Sequence, residues 1–264
     1  MARILGFRCG RAPDGTRQGS RNLSRNHVIV TGGASGIGAA VVDALHARGQ
    51  QVSIFDLQPP APESAPAGVG FIEVDASNEG AVRAAVAEAE AARGVVTGLV
   101  ICHGNRGMFV PAMEADLRHA AKVFEIHVLG ALAVSREVVR RLEGRPASIV
   151  TVSSATAFGG WEKQADYGVA KAAVRQLTQN LAVEWAPLGI RVNAVAPGNT
   201  LTPMVQAVID SGEYDTAAVE KRTPLGRFAA PGEIADAILF LLLDASFVTG
   251  QCLAVDGGWT AVGE

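Results

Sequence analysis

The stretch that decides the fold is His27-Val-Ile-Val-Thr-Gly-Gly-Ala-Ser-Gly-Ile-Gly38. Its first five residues, His27–Thr31, are a short, mostly β-branched run, which predicts a buried strand. A glycine-rich loop follows at once, and the apolar spacing of residues 39–48 predicts a helix. This order brings free backbone N–H groups and the positive end of a helix dipole to one point, which predicts a pyrophosphate site. The loop residues assigned to that contact are Gly32, Ser35, Gly36, Ile37 and Gly38.

Strands and helices alternate along the rest of the chain. Helices between successive strands favour parallel pairing, and continuous apolar strands are typical of a sheet covered on both faces. The predicted fold is therefore α/β, a Rossmann-like doubly wound parallel sheet of about seven strands with helices on both faces. It forms a single domain over residues 27–264. Besides 27–31, strands are predicted at 51–56, 69–74, 98–102, 147–153, 190–196 and 252–255, and the later helices at 78–93, 117–142, 165–186 and 234–243.

Composition and charge exclude several classes of protein. The 264 residues are 48% hydrophobic and 19% charged, which is typical of a globular chain. A net charge of −3 gives no basic field for nucleic acid, and the apolar run 238–243 is too short to cross a membrane. Three widely spaced cysteines, Cys9, Cys102 and Cys252, fit neither a disulfide framework nor a zinc site. We therefore expect a cytoplasmic protein with no metal and with neither nucleic acid nor membrane as partner.

Residues 1–26 differ in composition from the rest. They contain six arginines against the single acid Asp14, for a net charge of +5. Such a segment is expected to be a disordered extension, because like charges without apolar periodicity bury little surface. A transit peptide and a basic arm for acidic surfaces remain open alternatives.

Asp56 ends the second predicted strand, 18 residues after Gly38. An acid at this place in a dinucleotide-binding fold accepts hydrogen bonds from the adenosine ribose hydroxyls. Its charge would repel a 2′-phosphate, the glycine loop contains no basic residue, and Leu57 follows the acid. These features favour NAD over NADP.

Tyr167 and Lys171 lie four residues apart at the start of a predicted helix, so both side chains share one face. A free tyrosine has a pKa near ~10, and a nearby ammonium group favours the phenolate, as a general base at neutral pH requires. Ser153 and Ser154 end the fifth predicted strand, at the edge of the sheet where ligands bind in this architecture.

Together these motifs resemble the short-chain dehydrogenase/reductase family. The resemblance covers residues 27 to about 260 and includes Tyr167-x3-Lys171, Pro197-Gly-x3-Thr202 and Val255-Asp-Gly-Gly-Trp259. It implies that Tyr167 exchanges a proton with the substrate oxygen and that Ser154, 13 residues earlier, hydrogen-bonds that oxygen. Lys171 is then expected to lower the pKa of Tyr167 and to hold the nicotinamide ribose. Further cofactor contacts implied by the resemblance are Asp75 at the adenine, Thr202 at the nicotinamide amide, and Gly104, Pro197 and Gly198.

Two segments depart from the family pattern. Where the family usually has Asn-Asn-Ala-Gly, this chain has Ile101-Cys-His-Gly104, and only the glycine matches. Where the family usually has Asn-Val-x-Gly, it has His127-Val-Leu-Gly130. His127 could hold the water that the family's asparagine is thought to hold, relay the proton itself, or only pack.

The side of the site that faces the substrate is the least constrained. Residues 199–223 resemble the family's mobile substrate loop, in which Met204 offers an apolar contact, and Trp161 flanks the opening. Arg106 would either pair with an anionic substrate group or remain a solvated loop residue.

The predicted activity is NAD(H)-dependent interconversion of a secondary, cyclic alcohol or dihydrodiol and a ketone. The alternatives are reduction of a biosynthetic keto intermediate and a non-catalytic dinucleotide-binding regulator. The resemblance also implies a homotetramer, in which the helices 117–142 and 165–186 pack against their symmetry mates and the C-terminal helix and strand make a second contact.

Overall fold

The computed structural model describes residues 26–62, 64–212 and 214–262. Apart from Asn26, the predicted N-terminal extension lies outside the described residues, as does Cys9. No helix within the described ranges is both long and apolar enough to pass through a bilayer.

The described residues contain seven strands in a single parallel sheet, which confirms the predicted fold class. Across the sheet the strand order is 3-2-1-4-5-6-7, so the order reverses between the neighbours β1 and β4. Ligands of doubly wound sheets bind at such a reversal, beyond the carboxyl ends of the strands. The strands are β1 (His27–Thr31), β2 (Gln51–Asp56), β3 (Gly70–Glu73), β4 (Val96–Ile101), β5 (Ala147–Val152), β6 (Ile190–Pro197) and β7 (Cys252–Val255).

Helices cover both faces of this sheet. One apolar cluster joins the strands to α1 and α8, and another joins them to α2, α4 and α5. Burial on both sides explains why β1 and β4 are continuous apolar runs. The α-helices are α1 (Gly36–Ala47), α2 (Glu79–Arg93), α3 (Leu117–Phe124), α4 (Gly130–Arg140), α5 (Tyr167–Trp185), α6 (Pro203–Asp210), α7 (Thr216–Arg222) and α8 (Pro231–Leu239).

Two regions differ from the sequence prediction. The single helix predicted at 117–142 is α3 and α4 joined by a π-helical turn at Glu125–Leu129, which contains His127. One wide turn leaves the apolar pattern of a long helix almost unchanged, so the pattern could not reveal it. Residues 199–223, expected to form a loop, contain α6 and α7, which are capped by the side chains of Thr202 and Asp215.

Candidate active site

The glycine loop connects β1 directly to the N-terminus of α1. Gly32 and Gly36 have φ angles of +66° and +55°, and a Cβ on Gly38 would overlap the carbonyl oxygen of Gly32. The Ser35 side chain makes no capping bond, and the first turn of α1, which lies wholly within the described residues, carries no acid. The positive end of the α1 dipole is therefore not neutralised by the helix's own side chains. A pyrophosphate fits this backbone cradle.

Asp56 lies at the carboxyl end of β2, directly beside the glycine loop. Its Oδ2 accepts a hydrogen bond from Ala34 N at 3.0 Å, and its Oδ1 accepts one from Leu57 N at 2.8 Å. These two bonds orient the carboxylate against the loop, and each oxygen keeps a further lone pair for a ligand hydroxyl.

Tyr167 begins α5 with its phenol beside Ser154, which follows β5. Burial raises the pKa of Tyr167 to about 12, and the hydrogen bond with the Ser154 side chain opposes that rise. The Ser154 Oγ also accepts a bond from Thr156 N at 3.2 Å, which fixes its position. The end of β5 and the start of α5 therefore bring Ser154 and Tyr167 together.

Lys171 lies one turn further along α5, on the same face. Its Nζ donates to Val152 O at 2.8 Å and lies 5.5 Å from the centre of the Tyr167 ring. Burial lowers the pKa of Lys171 to about 8. The expected lowering of the Tyr167 pKa by Lys171 is not what this structure shows, because burial of the phenol outweighs other influences and the ammonium bonds to a backbone carbonyl.

His127 occupies the π-helical turn and meets Tyr167 edge to face, with ring centroids 5.5 Å apart. Its Nε2 lies 3.2 Å from Asn105 N and 3.0 Å from Asn105 O, and its ring lies against Gly104. The Nδ1 atom is buried without a hydrogen-bond partner. Burial, together with the charge of Lys171, lowers the pKa of His127 to about 2, so this histidine is neutral in the working range of pH.

In the segment 101–104, which departs from the family pattern, the His103 and Cys102 side chains make contacts within the protein. His103 shares hydrogen bonds with Thr31 Oγ1 at 2.7 Å and Ile126 O at 3.1 Å, which link β1 to the π-helical turn. Burial lowers the pKa of His103 to about 4 and raises the pKa of the Cys102 thiol to about 12. Cys102 is therefore a packing residue and not a nucleophile.

The other predicted cofactor residues lie at the same edge of the sheet. Asp75 follows β3, and two hydrogen bonds from Ser77 lower its pKa. Pro197 ends β6, and Gly198 N donates to Val255 O at 3.0 Å. Thr202 caps α6 by accepting a bond from Val205 N at 3.3 Å, and its side chain contacts the position of a Cβ on Gly36.

Three residues were predicted on the substrate side. Arg106 is exposed in the loop after β4, and Met204 is 48% exposed in the first turn of α6. Trp161 stacks on Trp259 with ring centroids 4.9 Å apart, and Arg222 covers the Trp259 ring at 3.9 Å. This stack joins the loop before α5, the C-terminal segment and the end of α7.

Sequence reasoning missed Asp166, which immediately precedes the tyrosine. Its carboxylate is buried and accepts bonds from Tyr167 N and Met108 N. An acid just before a helix is a recognised capping signal, so the helix start could have revealed the first bond. The second bond joins segments 58 residues apart and had no signal in the sequence.

Comparisons with known proteins find a family model and relatives that match most of the chain. A family model described as enoyl-(acyl carrier protein) reductase matches residues 32–260. The chain is 38% identical to the 2,5-dichloro-2,5-cyclohexadiene-1,4-diol dehydrogenase of Sphingobium indicum, covering 91% of this chain and 99% of that protein. It is 40% identical to the cis-4-hydroxycyclohexanecarboxylate dehydrogenase of Sinomonas cyclohexanicum, covering 89% and 96%.

Two further matches extend the comparison. A solved structure of ElxO with NADP bound superimposes with a TM-score of 0.85 at 28% identity, covering 90% of this chain and all of that one. An uncharacterized short-chain type dehydrogenase/reductase of Sinorhizobium fredii is 37% identical over 90% of this chain, which spans only 44% of that longer protein.

The fold and the Ser154, Tyr167 and Lys171 arrangement define a dinucleotide-binding oxidoreductase. With the comparisons, this chain belongs to the short-chain dehydrogenase/reductase family. The predicted family and enzyme class are thereby confirmed.

Proposed function

We propose that the protein oxidises a secondary alcohol on a ring, or a cyclic dihydrodiol, to the ketone with NAD. The observation that carries this proposal is the clustering of Ser154, Tyr167 and Lys171 at the edge of the sheet that also holds the glycine loop. Ser154 is close enough to influence the pKa of Tyr167, and the Lys171 Nζ lies 5.5 Å from the centre of the Tyr167 ring. The relatives named for cyclohexadienediol and hydroxycyclohexanecarboxylate support a ring substrate.

In this mechanism, the chain's own residues handle the proton. A bound nicotinamide ring would supply the hydride acceptor, or the donor in the reverse direction. As the alcohol is oxidised, its hydroxyl proton passes to the Tyr167 oxygen, and in ketone reduction the same oxygen returns it. The Ser154 hydroxyl hydrogen-bonds the substrate oxygen and holds it within reach of Tyr167. Lys171 would hold the ribose hydroxyls, since its Nζ lies 5.5 Å from the centre of the Tyr167 ring, on the same face of α5.

His127 is proposed to hold a water molecule at Nδ1, next to Tyr167. A buried polar atom without a protein partner is usually satisfied by water, and the edge-to-face contact places the imidazole at the catalytic ring. Because its pKa is about 2, the neutral ring orients this water and does not itself carry the proton as imidazolium.

NAD is the proposed cofactor, because the Asp56 carboxylate stands beside the glycine loop with Leu57 next to it. A 2′-phosphate at this place would meet a negative charge without a compensating arginine. Asp75, Gly104, Pro197, Gly198 and Thr202 are proposed as further contacts.

The substrate is proposed to lie between the loop after β4 and the start of α6. Met204 would offer apolar contact, and Trp161 would form the fixed part of the wall, since its ring is stacked on Trp259. Arg106 is the proposed partner of an anionic substituent such as a carboxylate.

A homotetramer is the proposed assembly. Apolar residues are exposed on α3, on the π-helical turn after it and on α5. They are Phe124, Leu129, Val169 and Val183. A second exposed set near the C-terminus contains Phe240, Phe247 and Leu253. Surfaces of this kind commonly mark subunit contacts.

The test is turnover on a defined panel, followed by absorbance at the nicotinamide band. The panel contains cyclohexanol, cis-4-hydroxycyclohexanecarboxylate and a cyclic cis-dihydrodiol, each with NAD and with NADP. We expect NAD reduction with at least one of them. If neither these alcohols with oxidised cofactor nor the matching ketones with reduced cofactor react, the proposal is wrong and a binding role replaces it.

A further inference from the structure

The buried carboxylate of Asp166 connects the catalytic helix to a loop that is distant in sequence. Its Oδ1 accepts a hydrogen bond from Tyr167 N at 2.7 Å, and its Oδ2 accepts one from Met108 N at 2.8 Å. Asp166 is only 8% exposed, and its partners Tyr167 and Met108 are half-buried. One side chain thus bridges the first residue of α5 and the segment that follows β4.

The loop 104–109 fits closely around this carboxylate. Gly107 has a φ of +71°, and a Cβ there would lie 2.8 Å from either carboxylate oxygen. Asn105 Oδ1 accepts a bond from Gly107 N at 3.3 Å. Phe109 has a positive φ of 56°, which is unfavourable for a bulky residue and persists only where surrounding contacts enforce it.

A second contact supports the same connection. Lys163, at φ 59°, places its ammonium 5.6 Å from the centre of the Phe109 ring. Two strained residues, one on each segment, therefore meet beside the Asp166 bridge. Strained backbone on both segments persists only where surrounding contacts enforce it, which indicates a fixed geometry where the two segments meet.

The loop held in this way carries groups of the proposed site. Its Asn105 backbone bonds to His127, which in turn contacts Tyr167, and Arg106 lies between Asn105 and Gly107. Loop 104–109 and Tyr167 are thus connected through Asp166 on one side and through His127 on the other.

We propose that Asp166 is a positioning residue that fixes loop 104–109 relative to Tyr167 and so sets the distance between the proton-exchanging phenol and the substrate wall. The catalytic part of this proposal rests on the proposed function, whereas the connection itself does not. Asp166 acts through Tyr167 N and Met108 N, and it does not touch the proposed cofactor residues of the glycine loop.

The test compares Asp166→Ala and Asp166→Asn with the matched control variants Asp116→Ala and Asp116→Asn. Asp116 caps α3 through a 2.8 Å bond from Arg118 N and is exposed, so the same changes there remove a cap without touching the loop. Amide hydrogen exchange of peptides covering 104–109 is read in all four variants, together with steady-state kinetics on the best alcohol of the panel and NAD binding by fluorescence.

We expect faster exchange in 104–109 in Asp166→Ala, which loses both hydrogen bonds, and a fall in kcat/KM for the alcohol of about tenfold, because only part of the energy of the two bonds is expected to reach the reacting groups. NAD affinity should stay within about twofold of the wild-type value. This is well below a tenfold change, which would correspond to about 1.4 kcal/mol. Asp166→Asn should fall between Asp166→Ala and the wild type, because its single amide oxygen can keep one of the two bonds. The Asp116 variants should leave both loop exchange and kcat/KM unchanged.

Unchanged exchange in 104–109 in Asp166→Ala would overturn the connection. Faster exchange with unchanged kcat/KM would overturn the positioning role while leaving the connection. A wild-type protein without turnover contradicts the proposed function and, with it, the catalytic part, and the exchange result still decides whether Asp166 holds the loop.

Discussion

At the scale of single residues, burial is the largest influence on the pKa of Tyr167, Lys171 and His127, the three side chains proposed to act on protons. The pKa is raised to about 12 for Tyr167, and it is lowered to about 8 for Lys171 and to about 2 for His127. At neutral pH the phenol is therefore protonated, which is the form that donates a proton in ketone reduction, and alcohol oxidation draws on the phenolate, whose share rises with pH. The lysine is mostly charged and the histidine is neutral. The one positive charge in this cluster belongs to Lys171.

Exchanging His127 tests whether its free ring nitrogen matters. His127→Asn retains a polar group that can hold a water and should keep most of the activity. His127→Phe retains a ring without nitrogen and should lose about tenfold in kcat, the effect of one hydrogen bond. Because the pKa of His127 is about 2, the wild-type pH–rate profile should show no step from this residue near pH ~6.5. Steady-state kinetics between pH 5 and pH 9 check this, and a step that disappears in His127→Asn would contradict it.

Asp56 should determine the choice of cofactor. We expect NAD to bind at least about tenfold more tightly than NADP, a difference of roughly 1.4 kcal/mol, because the carboxylate opposes a 2′-phosphate. The double change Asp56→Ala with Leu57→Arg should move the preference towards NADP. Fluorescence titration with both cofactors measures this, and Leu57→Ala is the control. Equal affinities in the wild type would disprove the assignment.

We expect the buried ammonium group of Lys171 to lower the free energy of unfolding. Its pKa of about 8 in the folded protein lies below the ordinary lysine value. Because the unfolded chain binds the proton more tightly, this difference lowers the free energy of unfolding. The penalty is complete below the folded pKa of about 8. It decreases between pH ~8 and pH ~10.5, the ordinary lysine pKa, and is absent above that value. Lys171→Met should raise the free energy of unfolding at pH 7 by about 2 kcal/mol after allowing for the lost bond to Val152 O, while abolishing turnover.

Urea unfolding of Lys171→Met and of the wild type at pH 7 and pH 9.5 provides the measurement. The difference between the two proteins should shrink at the higher pH. A Lys171→Met variant that is less stable than the wild type at pH 7 would show that the ammonium is well accommodated.

At the scale of elements, the sequence predicts those strands and helices that are marked by apolar periodicity and by the residues that end them. The bounds of β1, β2 and β7 coincide with the prediction, because each is a short apolar run ended by a glycine or a charged residue. The π-helical turn at Glu125–Leu129 was not predicted, since its apolar residues continue the pattern of one helix. It nevertheless determines where His127 points.

For α6 and α7, the sequence contains local signals for a helix start, but the resemblance to the family's mobile loop was given more weight. Thr202 followed by Pro203 is a strong helix start, and Asp215 caps the next helix. The expected mobile loop was implied by resemblance and not by these residues. The contacts that complete the site, namely Asp166 with Met108 and Trp161 with Trp259, join distant segments, so no local pattern predicts them.

At the scale of the whole molecule, the proposed assembly rests on exposed apolar residues, among them two on α5. Val169 and Val183 are 60% and 80% exposed and lie on the same side of the helix. We expect a tetramer of the 27.3 kDa chain at micromolar concentration, measured by light scattering. A glutamate at either position would place charge in the contact, so Val169→Glu should yield a smaller species. Met113→Glu, in the exposed 3-10 turn Ala112–Glu114, should not. A wild-type monomer would refute the proposed assembly.

The central claim is that the Tyr167 hydroxyl exchanges a proton with the substrate oxygen, and Tyr167→Phe removes that hydroxyl while keeping the ring beside His127. General acid–base catalysis contributes roughly 10²–10⁴-fold, so kcat on the best alcohol of the panel should fall by at least that range. NAD affinity should be nearly unchanged, which shows that the fold and the cofactor site survive. A Tyr167→Phe enzyme that turns over at the wild-type rate would contradict the mechanism.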